Sequence, residues 1–202
     1  MPLIEPFSTS TSALKKAGLV PDILGDFTPS ALLTIILPSG PASFGTEVPI
    51  SETVAPPAIS IAAVPKDEDI GADGLLKNEA NQARYTVAMF DPDAPSAANP
   101  TSRQFRHWVI TGLTANKDPA APALQTTQAA NEYRQPGPPK GSGLHRYTFA
   151  LFREPPNFSL PQGCSELDPS IEARRRWDAV KFGQQNGLEL VGAAFYLVRS
   201  EE

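Results

Sequence analysis

Proline sets the strongest limit on this chain: 22 of its 202 residues are proline, about twice the usual share of roughly 5%. Inside a helix a proline removes a backbone hydrogen bond and clashes with the preceding turn, and inside a central strand it removes a ladder donor. The prolines are scattered along the whole sequence. Long helices are therefore excluded nearly everywhere, and the chain must be built from short extended segments that stop at proline- and glycine-rich turns.

Between those stops the apolar patterns read as strands. SALLTIILPSG (30–40) is a buried strand running into a turn, EVPIS (47–51) a short strand, and PAISIAAVP (57–65) another with partial alternation. YTVAMFDPDAPS (85–96) is a central strand cut off by Pro92, FRHWVITGL (105–113) a second, HRYTFALF (145–152) a third, and LELVGAAFYLVR (188–199) the closing one. The polar stretches 66–84 and 113–136 read as loops, the second long enough to suggest a functional role. Helical patterns are confined to the ends. Ser10 to Ser12 cap a short helix that stops at Gly18, and PSIEARRRWDAVKFGQQNG (169–187) reads as one helix ending at Asn186-Gly187. This order predicts a mostly β fold, a sandwich or large antiparallel sheet with short helices near both termini. It forms one domain over 1–202, with residues 1–12 as a flexible lead-in.

Several functions are excluded by composition. A formal net charge of −5 argues against sequence-blind binding of nucleic acid or of anionic membranes. The longest apolar runs, such as ALLTIIL (31–37), fall far short of the roughly 20 residues an integral membrane segment needs. The N-terminus lacks a basic stretch followed by an apolar one, and the single cysteine, Cys164, permits no internal disulfide. Both observations point to the cytoplasm.

The chemistry-bearing residues gather at strand ends. Alternate strand residues share a face, so His145 and Tyr147 project together with Phe149 and Leu151 below them, while Arg146 and Thr148 face the other way. His107, the other histidine, begins a second strand, and Asp91 and Asp93 end a third in DPDAP. These polar groups suit the rim of a pocket, although a histidine held by a backbone carbonyl and an ordinary Asp-Pro turn explain them equally well. No HExxH or CxxC spacing is present, and metal is not expected. Ser142 lacks the GxSxG context of a hydrolase nucleophile. GPPKGSG fails the Walker spacing, and Cys164 has no evident base beside it.

DPDAPS (91–96), RHWV (106–109) and GPPKGSGLHRY (137–147), in that order, resemble the signature blocks of the phosphatidylethanolamine-binding protein family. The N-terminal run ALKKAGLVPDIL resembles the fungal subgroup that includes an inhibitor of carboxypeptidase Y. The resemblance implies a β-sandwich with a large central antiparallel sheet and terminal helices. It also implies a pocket for phosphate-like anions and phospholipid head groups, formed by Asp91, Asp93, Pro95, His107, Gly137, Pro138, His145 and Tyr147. In that pocket the histidines would donate to phosphate, and Asp91 would orient a histidine or take an ammonium.

The implied role is non-catalytic, without cofactor: inhibition of a serine carboxypeptidase, with vacuolar association through such a target. Alternatives are a lipid-responsive regulator that binds signalling proteins of kinase or small-GTPase pathways, and a recruited enzyme using His107 and His145 as acid and base. Three departures stand out. Phe105 replaces a tryptophan, and Phe195 followed by Tyr196 replaces a pocket tyrosine. The Met-Pro start predicts removal of the initiator and loss of the acetylated terminus on which family inhibition partly depends.

Overall fold

The computed structural model describes residues 4–42, 44–67, 70–71, 83–118 and 121–202. Two antiparallel sheets face each other. The smaller holds β1 (Ala31–Leu37), β2 (Gly40–Ala42) and β3 (Ala58–Ala63) in the order β2-β1-β3. The larger holds β4 (Arg84–Asp91), β5 (Phe105–Thr114), β6 (Leu124–Gln125), β7 (Leu144–Arg153) and β8 (Glu189–Arg199) in the order β6-β5-β4-β7-β8. The free edge of β8 is closed by residues 45–48: Gly45 donates to Phe195 O, Leu197 to Thr46 O, and Val48 to Leu197 O. An unpaired edge strand would be a template for another chain, and this covering removes it.

The large sheet is buried on both faces, which is why β4 reads as a nearly continuous apolar run. One face packs on β1 and β3 through Ile35, Ile61, Met89, Phe149, Leu151 and Tyr196. The other packs through Phe90, Val109, Ala150 and Phe152 under α1 (Ile4–Lys16), the segment after it, and α3 (Ala179–Gln185). The expected alternation in β7 therefore holds: His145, Tyr147, Phe149 and Leu151 turn toward the small sheet, and Arg146, Ala150 and Phe152 away from it.

Four sequence expectations are corrected. The N-terminal helix starts at Ile4 rather than at Ser10, so most of the expected flexible lead-in is helical; its last turn is anchored by the buried Leu14. EVPIS is no strand. Pro49 has no amide to give a ladder, so only Glu47 bridges β8 before a 3-10 turn at Ile50–Thr53. The C-terminal helix is two pieces, α2 (Ile171–Arg174) and α3. Between them Trp177 exchanges backbone hydrogen bonds with Gln104 and donates its indole N–H to buried Glu166; this tertiary pairing overrides helical propensity. The stretch 113–136 is not loop throughout: among its described residues β6 pairs with β5, and Asn131 Oδ1 accepts from Val109 N. Most of the polar stretch 66–84 lies outside the described residues.

Candidate functional site

The site is built where β4, β5 and β7 end together. Strand β4 finishes at Asp91, which pairs with Phe105 of β5 one position after Phe90 pairs with Thr148 of β7. Pro92 then stops the ladder, and the chain turns so that Asp93 N donates to Asp91 Oδ1 at 2.8 Å. The two carboxylates of this turn diverge. Asp91 Oδ2 accepts from His145 Nδ1 at 2.7 Å, on the small-sheet side. Asp93 lies on the opposite face, accepting from Arg146 N and Nε at 2.9 Å each and from Nη2 at 2.6 Å. Adjacent residues of β7 thus each take one carboxylate of the Asp-Pro-Asp turn.

A cavity of about 590 Å³ opens beside Asp91, and Pro95, Phe105, His107, Arg134, Gly137, His145, Tyr147 and Arg175 are among its lining residues. Of the residues expected at the site, Asp91, Pro95, His107, Gly137, His145 and Tyr147 line it. Asp93 and Pro138 do not: Asp93 is committed to Arg146, and the chain presents Pro136 and Pro139 to the cavity instead. The expected pocket-tyrosine position resolves differently too. Phe195 turns to the helical face, whereas Tyr196 is fully buried behind the site, stacked on Tyr147 at 5.9 Å.

The two histidines have distinct environments. His145 is fully buried, with Nδ1 against Asp91 and Nε2 2.9 Å from Ser142 Oγ. Neither ring nitrogen is left for a ligand, and neither meets a backbone carbonyl. His107 does meet one: its Nδ1 donates to Arg134 O at 2.7 Å. Its ring lies edge-on to both Phe105 and Tyr147, with centroids 5.1 Å apart in each case. Burial pushes its pKa down to about 4, outweighing that hydrogen bond and the Asp91 charge, so His107 is neutral near pH 7 with its proton on Nδ1.

Tyr147 accepts from Gly137 N at 3.2 Å, leaving its own proton free to donate. Burial first, and the Asp91 charge second, raise its pKa well above the ordinary value, so it stays a phenol. The outer wall is cationic. Arg134 sits 5.9 Å over the Phe105 ring, and Arg175 comes from the residue after α2; both are exposed. Sequence reading missed these two arginines, since nothing local joins positions 134 and 175 to a pocket. Among the described residues no group of three or more His, Cys, Asp or Glu could hold a metal ion.

The fold and the site together are a double-faced antiparallel sheet with a proline-walled, cation-rimmed cavity at the ends of its central strands. The phosphatidylethanolamine-binding protein profile matches residues 35–196, and the chain belongs to that family. It is similar to the carboxypeptidase Y inhibitor of Saccharomyces cerevisiae, at 26% identity with 95% of each chain covered. The crystal structure of carboxypeptidase Y inhibitor complexed with its cognate proteinase is similar over 96% of both chains, at 27% identity and a TM-score of 0.72. The phosphatidylethanolamine-binding protein of Plasmodium vivax shares the fold, with a TM-score of 0.70 at 21% identity over 95% of this chain and 98% of that one.

Proposed function

We propose that this chain is a non-catalytic, inhibitor-like partner of a serine carboxypeptidase that also carries a separate cavity for a phosphorylated head group. The observation that carries the protease reading is the end-to-end likeness to an inhibitor whose solved structure includes its proteinase. A stable inhibitory interface buries about 1,200–2,000 Å² in total, and N-terminal residues and the long loop before Arg134 are its candidate contacts. The expected loss of the acetylated terminus concerns residues 1–3, which lie outside the described residues.

Hydrogen bonding supports the non-catalytic reading. Ser142, His145 and Asp91 stand in the order of a hydrolase relay, but the Ser142 hydroxyl is turned to Pro139 O. The nearby amides are also taken: Gly141 N by Glu201 O, Ser142 N by Pro139 O, and Gly143 N by Ser200 Oγ. These three amides are therefore not available to hold an oxyanion. The test is purified protein titrated into carboxypeptidase Y with a peptide substrate. Activity should fall at or below micromolar protein, and undiminished activity at micromolar protein refutes the inhibitor reading.

A further inference from the structure

The inner wall of the cavity presents an acceptor where a phosphate-binding site would ordinarily present donors. A carbonyl only accepts, so the His107 proton must lie on Nδ1, facing Arg134 O. The Nε2 lone pair then has no protein partner among the described residues and faces the cavity that the ring lines. Beside it stand the Tyr147 hydroxyl, which has a proton to donate, and Asp91, whose two oxygens already accept from Asp93 N and His145 Nδ1. A ligand group seated there must bring a hydrogen-bond donor for Nε2 and an acceptor for Tyr147, while its charge faces Arg134 and Arg175.

We propose that the cavity selects a phosphomonoester in its singly ionised form, with the P–OH donating to His107 Nε2 and a P–O oxygen accepting from Tyr147; this rests on the head-group reading above. A monoanion supplies one donor, several acceptors and one negative charge. The dianion has lost the donor, opposes the Nε2 lone pair with an oxygen lone pair, and adds charge facing Asp91. A phosphodiester carries one charge but no P–OH.

Several charged groups face His107 among the described residues. Asp91 reaches it from β4. Arg134, from the loop, and Arg174, from α2, bear on it as positive charges that oppose its protonation. Arg174 is held by the carbonyls of Arg106, His107 and Glu132. Arg175 shares the cavity, with the exposed Glu172 carboxylate 3.6 Å from its Nη1, and from β7 come Tyr147 and the Asp91-bound His145. Because burial keeps His107 neutral above about pH 4, the titration that matters between pH 5.5 and 8 is that of the ligand.

The test is calorimetric titration of the full chain with methyl phosphate from pH 5.5 to 8 at constant ionic strength. A monoester loses its second proton near about pH 6, so the dissociation constant should rise about 50- to 100-fold across that range as the monoanion disappears. Methylphosphonate, whose second ionisation lies at higher pH, should move the midpoint upward with it. Dimethyl phosphate should bind weakly at every pH. Phosphatidylcholine vesicles bearing phosphatidic acid separate the sources: binding with the same pH slope makes the ligand a lipid-borne monoester, and binding of methyl phosphate alone makes it a soluble one.

In His107→Gln the amide can accept or donate, and the slope should flatten. An affinity that is flat or rises with pH overturns the proposal but leaves the head-group reading intact. So does dimethyl phosphate or glycerophosphoethanolamine matching methyl phosphate at pH 5.5. Absence of binding by all of these phosphates at every pH overturns the head-group reading itself. The comparison of monoester with diester uses the unaltered protein, so it stands even if the variant fails to fold.

Discussion

Burying His107 as a neutral ring makes stability depend on pH in a direction that can be worked out. In the unfolded chain the imidazole titrates at 6.5, and in the fold burial lowers it to about 4. Between those values the unfolded state binds the additional proton, so stability from this residue is complete above about pH 7 and is lost as pH falls toward 4. With one pKa unit equal to about 1.4 kcal/mol, the loss amounts to about 2 kcal/mol at pH 5 and about 3 kcal/mol at pH 4. In a domain whose total stability is about 5–15 kcal/mol, that is a measurable share.

The perturbation is His107→Asn, whose amide N–H falls where Nδ1 lies and can still donate to Arg134 O. It removes the titration and keeps the hydrogen bond. Urea unfolding at pH 5 and pH 8 gives the free energy by linear extrapolation. Every other residue is common to both proteins, so the comparison isolates position 107. The unaltered protein should lose about 2 kcal/mol more than the variant on going from pH 8 to pH 5. Equal losses would refute the buried neutral ring, and a larger loss in the variant would reverse its sign.

Two further substitutions test the packing that aligns the site. A Cβ at Gly192 would run into the Ala31 carbonyl, and β1 cannot retreat because Ser30 N donates to Val191 O at 2.9 Å; Gly192→Ala should cost about 1–3 kcal/mol in urea unfolding, and an unchanged midpoint would contradict the close approach of β1 to β8. Arg146→Ala leaves the buried Asp93 carboxylate without its cation and frees Ala17 O, which accepts from Nη1 at 2.6 Å. It should cost about 3 kcal/mol, and adding Asp93→Asn should recover part of that loss.

The β architecture was legible because both of its signals are local. Proline and glycine mark the strand ends, and the alternation in β7 separates His145 from Arg146 without knowledge of any neighbour. What could not be read depended on pairing across the chain. EVPIS has the composition of a strand, but Pro49 leaves it a single bridge to Leu197. The run 169–187 has helical spacing, and its break is imposed by Gln104, more than sixty residues earlier. Six of the eight expected site residues converge on the cavity; Asp91, His107, His145 and Tyr147 come from the end portions of strands, and Pro95 and Gly137 from the connecting segments. The cationic rim was missed because Arg134 and Arg175 come from a loop and a helix end, where no periodicity fixes direction. The Ser142 contact to His145, three positions away across a tight turn, was within reach of sequence reasoning.

The arrangement changes which residues can be assigned to a ligand. Asp-Pro-Asp and His-Arg are the conspicuous pairs in the sequence, yet each of these carboxylates is already used, Asp91 by His145 and Asp93 by Arg146. Their geometry is that of a clamp: one proline-stopped turn fastens both faces of β7, and through Arg146 it reaches the end of α1. A clamp of this kind holds the strand ends in register, and hence the cavity open, with each Asp91 oxygen already accepting one hydrogen bond from the protein. Among the described residues lining the cavity, His107 Nε2 and the Tyr147 hydroxyl proton are left without a protein partner, and Arg134 and Arg175 bring charge. In the proposed reading, recognition falls to residues from β5, β7 and two connecting segments, whereas the most recognisable motif supplies the frame that holds them.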